Sequence, residues 1–312
     1  MSGKAFPRFI SFGEALTDLI RTHGDDWSAK TGGAGWNVAR ATAAQEVPSA
    51  FAGAISQCCF GDALWAASAA AGLDLRFLQR HDKSPLLAIV AQAHPPRYFF
   101  IGNDSADLTF APQALPAGWE QEVVWAHFGG ISLAREPLTA CLLGVAEMLH
   151  RRGVTISFDP NHRNAMGPDY AATFERLCRI ADVIKVSDED LLGIFGTEDP
   201  QAAFARVREL NPQAWWLYTA GAEGAILCTP SGNWQARPPR IEVVDTVGAG
   251  DACMAGLVAS RLAEPEAAAE RHLGWAVASG SAACLAAGAV PPDRASVARL
   301  FVAVDVTPVT DQ

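Results

Sequence analysis

The residues best placed to do chemistry stand together at positions 243–256: Val243-Val244-Asp245-Thr246-Val247-Gly248-Ala249-Gly250-Asp251-Ala252-Cys253-Met254-Ala255-Gly256. A β-type run, Ile241 to Val244, enters a glycine-rich turn, and an apolar helical pattern leaves it with Met254, Leu257, Val258 and Leu262 on one face. Strand, glycine turn and helix start together make an anion site. The unpaired N–H groups of the first helical turn point outward, the helix dipole adds about half a positive charge, and glycines admit a phosphate close to the backbone. Gly248, Ala249 and Gly250 would supply those donors. Asp251 is then the odd residue, because a carboxylate among N–H groups repels a phosphate unless it has other work. A hydroxyl held between Asp251 and the anion hole would pass its proton to the carboxylate while its oxygen faced phosphorus. An aspartate is a weak base, but phosphoryl transfer is mostly positioning and charge stabilisation, so the proton need leave only late.

The segment alone leaves a second reading open, in which Asp251 caps the helix and the glycines shape a turn. A dinucleotide fingerprint does not fit. In G-x-G-x-x-G, Cys253 would stand at the third glycine, and the segment falls late in the chain rather than in a first β-α unit. The phosphate-loop pattern G-x-x-x-x-G-K-[ST] does not occur. Seven cysteines (Cys58, Cys59, Cys141, Cys178, Cys228, Cys253 and Cys284) never take C-x-x-C spacing, and the histidines form no H-E-x-x-H pair. Any metal should therefore be a hard ion held by oxygen.

The elements that must hold this segment alternate. Short β-rich runs at Phe9–Phe12, Ser49–Ala54, Val123–Phe128, Thr155–Phe158, Val183–Val186, Trp215–Thr219 and Ala225–Cys228 are separated by amphipathic stretches such as Pro137–Arg151 and Pro200–Leu210. That rhythm predicts an α/β fold with a mostly parallel central sheet flanked by helices on both faces. One region departs from it: Leu87–Ala91 and Arg97–Ile101, with Leu19-Ile20-Arg21, predict a small antiparallel β lid outside the main sheet. The chain is read as one domain, 1–312, whose lid comes from about 15–31 and 86–111.

Composition narrows the function classes. There are 24 Lys+Arg against 34 Asp+Glu, a formal charge of −10, which argues against nucleic acid as a partner. Half of the residues are hydrophobic, 50% against 19% charged, enough to fill a large core. No apolar run reaches membrane-spanning length, and Met1-Ser2-Gly3-Lys4 lacks the layout of a secretion signal, so no membrane partner and a cytoplasmic location are expected.

Asp245-Thr246-Val247-Gly248-Ala249-Gly250-Asp251-Ala252 resembles the C-terminal signature of the ribokinase-like (PfkB) carbohydrate kinases. The N-terminal signature has its counterpart in Gly32-Gly33-Ala34-Gly35-Trp36-Asn37-Val38-Ala39-Arg40-Ala41, followed by Gly53 and Gly61-Asp62. The two motifs stand in the expected order and the likeness runs along essentially the whole chain, with fructokinases nearest. The resemblance implies a ribokinase-like fold and an ATP-dependent sugar kinase that uses Mg2+ and, in some members, a monovalent cation such as K+. It implies Asp251 as catalytic base, with Gly248, Ala249 and Gly250 as anion hole.

On the sugar, the resemblance implies Asp18, from Gly13-Glu14-Ala15-Leu16-Thr17-Asp18, then Gly32, Gly33 and Asn37, and Asn161 and Arg163 from Ser157-Phe158-Asp159-Pro160-Asn161-His162-Arg163. Asn103 would add a lid amide. On the nucleotide it implies Lys185, Ser187, Thr219, Gly221, Gly224 and Ser279, with Ala287-Gly288-Ala289 near adenine or the monovalent ion. The family's N-x-x-E element has Ser187-Asp188-Glu189-Asp190 as its counterpart, so Asp190 would address magnesium through water, from a side chain one methylene shorter. The lid run Tyr98-Phe99-Phe100-Ile101-Gly102-Asn103 carries aromatic and amide groups and no arginine beyond Arg97, which favours a neutral sugar, fructose first. Kinases of 2-keto-3-deoxygluconate, ribose or nucleosides are the alternatives, and a non-catalytic sugar or nucleotide sensor on the same fold is the reading from another class. A homodimer through the lid is expected.

Overall fold

Strands apolar on both faces must be covered on both faces, and that requirement organises the chain. A computed structural model describes residues 5–93, 96–164, 166–167 and 169–309. In chain order the elements are β1 (Phe9–Phe12), β2 (Leu16–His23), β3 (Asp26–Gly32), α1 (Ala34–Ala44), β4 (Ser49–Ser56), α2 (Cys59–Ala70), β5 (Leu78–His81), β6 (Leu87–Ala93), β7 (Pro96–Ile101) and β8 (Trp125–Gly129). They continue as α3 (Leu138–Arg151), β9 (Thr155–Asp159), α4 (Tyr170–Ile180), β10 (Val183–Ser187), α5 (Asp188–Phe195), α6 (Pro200–Arg208), β11 (Trp215–Thr219), β12 (Ala225–Thr229), β13 (Gly232–Arg237), α7 (Ala249–Ala263), α8 (Ala269–Ala283), α9 (Arg294–Phe301) and β14 (Asp305–Pro308).

The main sheet has the order β14-β13-β12-β11-β10-β9-β8-β1-β4-β5. From β5 to β11 every adjacent pair is parallel, and β12, β13 and β14 extend it antiparallel. The strand period of two sorts the side chains. Ile10 and Phe12 join Phe128, Ile156 and Phe158 under α3, α4 and α6, while Phe9, Phe51, Trp125, Val183 and Leu217 meet α1, α7 and α8 on the other face. The chain turns from β1 to β4 on one side and later to β8 on the other. This reversal leaves a crevice at the carboxyl ends of the strands, the usual place for a ligand in such sheets.

The second sheet, ordered β3-β2-β6-β7, is mixed rather than antiparallel: β2 pairs with β3 antiparallel, β6 with β7 antiparallel, but β2 with β6 parallel. The reason is topological, since β2 enters directly from β1 whereas β6 arrives after the whole α1 to β5 excursion. Of the expected second lid segment, the part after Ile101 returns to the body: Ala106, Asp107 and Phe110 are buried, and Phe110 meets Phe12 edge-on at 6.4 Å. The side chains of 92–98, among them Arg97 and Tyr98, lie outside the described residues.

Two further expectations are corrected. Ile241–Val244 forms no strand; it is irregular, with Val243 55% and Val244 60% exposed, and its backbone meets the end of α8, where Val244 N donates to Cys284 O at 2.9 Å. The edge strands β5 and β14, and β13 beside β14, carry little apolar periodicity and were not expected, being only partly buried.

Candidate active site

Helix α7 presents its N-terminus to the crevice. Its N-cap is Gly248 in the left-handed conformation (φ 80°), and no side chain caps it. Asp251 is therefore not the cap. It stands in the first turn, 8% exposed, with its carboxylate turned to two amides: Asn37 Nδ2 donates to Oδ2 at 2.9 Å and Asn161 Nδ2 to Oδ1 at 3.4 Å. The turn before it is braced by Asp245, which accepts from Val247 N at 3.1 Å and Gly288 N at 2.8 Å. Of the three expected anion-hole donors, Ala249 N–H goes instead to the Thr246 carbonyl at 3.1 Å. Burial pushes the Asp251 carboxyl up to about 7; the Asn37 hydrogen bond opposes the rise, and the negative charge of Asp159 adds to it. A carboxyl poised there matches a base working near neutral pH.

Positively charged groups surround this carboxylate. Lys185, on β10, is buried at 4% exposure, and its Nζ meets Asp159 Oδ2 at 2.8 Å. Burial alone would lower its pKa, but Asp159 and Asp190 outweigh burial and hold the ammonium above its ordinary range. A Cβ on Gly250 would lie 3.4 Å from Lys185 Cε and 3.5 Å from Nζ, so the ammonium lies beside the first turn of α7. Arg163 donates to the carbonyls of Asn161 and His162 at 3.3 and 2.8 Å, and its charge acts on both Asp18 and Asp251.

Asp18 enters from β2. Burial raises it to about 6, against the pull of Arg163. Gly32 and Gly33 explain how β3 and α1 pass so near: a Cβ on Gly32 would stand 2.4 Å from Asp18 Oδ2, and one on Gly33 (φ 120°) 2.4 Å from the Glu14 carbonyl. Thus Asp18, Gly32, Gly33, Asn37, Asn161, Arg163, Lys185 and Asp251 converge on one crevice from β2, β3, α1, the segment after β9, β10 and α7.

Other expected residues have different work. Ser187 caps α5 in a reciprocal box with Asp190: Asp190 N donates to Ser187 Oγ at 3.0 Å, and Asp190 Oδ2 accepts from Ser187 N and Oγ at 2.8 and 2.7 Å. Asp190 Oδ1 accepts from His162 N at 2.6 Å, so both oxygens are taken up by the protein. The shorter side chain folds back on its own helix start. Among the described residues no group of three or more His, Cys, Asp or Glu could hold a metal ion.

Ser279 is fully buried between α7 and α8, bonded to the Trp275 carbonyl at 2.8 Å, and a Cβ on Gly256 would stand 2.2 Å from its Oγ, so the structure places it in the contact between the two helices. Thr219 ends β11 at the carboxyl edge, and 220–224 is the β11–β12 hairpin, in which Gly221 (φ 51°) faces open space. Gly224 (φ 101°) is required by packing, since a Cβ would stand 2.1 Å from the Ala236 carbonyl. Asn103 is exposed next to Asp104, which pairs with Lys83 at 2.8 Å where the lid leaves the body.

Sequence reasoning gave no role to Asp159 or to the exposed apolar rim Val243, Val244, Val247, Leu285 and Val290. The rim is gathered by tertiary contact, with Val244 N donating to Cys284 O at 2.9 Å. Its only signal in the sequence was a cluster of valines that failed to become a strand.

A profile of the pfkB family carbohydrate kinases matches residues 7–295. Fructokinase of Klebsiella pneumoniae is 31% identical over 255 residues, 79% of this chain and 82% of that enzyme. Aminoimidazole riboside kinase of Salmonella typhimurium is 30% identical over 261 residues, 82% of this chain and 81% of that enzyme. Among solved structures, fructokinase with bound ATP from Xylella fastidiosa superposes with a TM-score of 0.84 at 25% identity, covering 95% of this chain and 99% of that one. Aminoimidazole riboside kinase from Salmonella enterica, complexed with aminoimidazole riboside and an ATP analog, gives 0.81 at 26%, covering 94% and 99%. With a ribokinase-like fold and both family motifs meeting at Asp251, this chain belongs to the pfkB family of carbohydrate kinases.

Proposed function

We propose that the protein is an ATP-dependent kinase of a neutral sugar, with fructose as first candidate, and that 1–312 works as one domain closed by its β lid. The observation that carries this reading is the buried Asp251 carboxylate, aimed by Asn37 and Asn161 beside an uncapped helix N-terminus. The acceptor hydroxyl gives its proton to Asp251 as its oxygen meets the γ-phosphorus, while Gly248 and Gly250 N–H groups and Lys185 take up charge on the transferring group. Magnesium bound with the triphosphate supplies charge neutralisation. Asp18 orients sugar hydroxyls, and the apolar rim at Val247, Leu285 and Val290 suits a flat nucleotide base.

An aminoimidazole riboside or other riboside as acceptor is the second reading, favoured by the riboside kinase that matches this chain at 30% identity. Incubating the enzyme with Mg-ATP and a panel of fructose, ribose, 2-keto-3-deoxygluconate, aminoimidazole riboside and nucleosides decides among them by ADP release. No ADP above the level of an Asp251→Ala variant with any acceptor removes the kinase reading. Calorimetric binding of sugar or ATP without turnover would instead support the sensor.

A homodimer through the lid is part of the same proposal. The register lines Phe99, Ile89, Leu19 and Ala29 across one lid face, where Phe99 is 65%, Ile101 48% and Trp27 46% exposed.

A further inference from the structure

Asp159, the last residue of β9, is 2% exposed, and each of its carboxylate oxygens has a separate partner. Oδ2 holds Lys185 Nζ at 2.8 Å, and Oδ1 accepts from Asn161 N at 3.2 Å. Both partners go on to α7. Lys185 reaches the first turn beside Gly250, and Asn161, held at φ 44° where a non-glycine residue is uncommon, turns its amide to Asp251 Oδ1 at 3.4 Å. An ammonium beside a helix N-terminus is repelled by the dipole's partial positive charge. It stays there because a carboxylate behind it holds it, and the two positive ends together then face the space where a phosphoryl group would pass.

We propose that Asp159 is a positioning residue of phosphoryl transfer: one oxygen holds the Lys185 ammonium against α7 to stabilise the transferring group, and the other sets Asn161 to aim Asp251. The proposal rests on the kinase reading above. In the step itself, the bond from γ-phosphorus to the bridging oxygen breaks and its electron pair leaves on ADP. The acceptor oxygen forms the new bond to phosphorus, its proton goes to Asp251, and Lys185 keeps its own protons throughout.

The groups facing Asp251 are Asn37 from α1, Asp159, Asn161 and Arg163 from β9 and the segment after it, and Lys185 from β10; Asp190 from α5 acts on Asp159 and Lys185. Among them, the charge of Asp159 raises the Asp251 carboxyl and that of Lys185 lowers it. The two residues must therefore displace the acid limb of activity in opposite directions.

The test measures kcat, KM and the pH profile of kcat/KM for the acceptor, at saturating Mg-ATP, in the wild type, Asp159→Asn, Lys185→Met and the double variant. Expected are about 100-fold lower kcat in each single variant with acceptor KM little changed. The acid limb should move to lower pH in Asp159→Asn and to higher pH in Lys185→Met, and back toward the wild type in the double variant. A purely structural role would lower stability and leave the limb in place. If Asp159→Asn fails to fold because it strands a buried ammonium, Lys185→Met and the double variant, which removes both charges, carry the comparison; equal limbs in those two overturn the proposal. A wild type that turns over while every folded variant keeps its limb overturns this proposal alone. A wild type without turnover on any acceptor overturns the kinase reading and this proposal with it.

Discussion

Asn37 Nδ2 donates a 2.9 Å hydrogen bond to Asp251 Oδ2 across 214 residues of sequence. The contact joins the first turn of α1 to the first turn of α7, and with it the two motifs that carried the sequence reading. Because the bond favours the ionised carboxylate, it works against the burial that raises Asp251 to about 7.

Activity should therefore have an acid limb near pH 7, since Asp251 must be ionised to accept the hydroxyl proton, and kcat/KM should fall as pH drops through it. Asn37→Leu removes a contact that lowers the Asp251 pKa, so the limb should move up by about half a unit or more. A pH series of kcat/KM on the wild type and the variant checks this; a limb that moves down contradicts the geometry.

Asp251→Asn should lose activity by about a thousandfold or more while ATP still binds, because the base is gone and the helix N-terminus remains. Its stability should move the other way. Below the ordinary carboxylate value of 3.8 both folded and unfolded chains are protonated there; between 3.8 and about 7 the folded state holds the extra proton, so wild-type stability falls as pH rises through that window. Without this penalty, the asparagine variant should gain about 4 kcal/mol over the wild type between pH 4 and pH 8. Denaturant melts of the unliganded proteins at the two pH values measure the difference.

Gly33→Ala should destabilise the fold by about 2–3 kcal/mol, combining a φ of 120° with a Cβ placed 2.4 Å from the Glu14 carbonyl oxygen. Gly72→Ala, also at positive φ but with open space around it, should cost less. Thermal melts of the two variants separate close approach from backbone strain.

Phe99→Asp should turn a dimer into a monomer with its fold intact, since it puts a charge at the most exposed large apolar lid residue among the described residues. Sedimentation of wild type and variant reads it; a wild type that is monomeric at micromolar concentration removes the lid interface.

Much of the fold was legible because buried parallel strands and amphipathic helices leave local periodic patterns: Phe9–Phe12, Trp215–Thr219 and the helix ending at Arg151 all fell where apolar spacing put them. β13 and the edge strand β14 were not legible, being half exposed, and the valines at 243–244 misled because β propensity without a partner strand yields no strand: Val244 N–H goes to the Cys284 carbonyl instead. Residue type and spacing by themselves determined that Asp251 stands in the first turn of a helix opened by glycines. Only the tertiary structure decided that it is not the cap, that Asn37 and Asn161 aim it, that Asp190 is spent on its own helix start, and that Lys185 rests on Asp159. The reason is physical: helix and turn formation are set by neighbours in the chain, whereas a carboxylate's partners, burial and proton affinity are set by groups that the chain brings to it from far away.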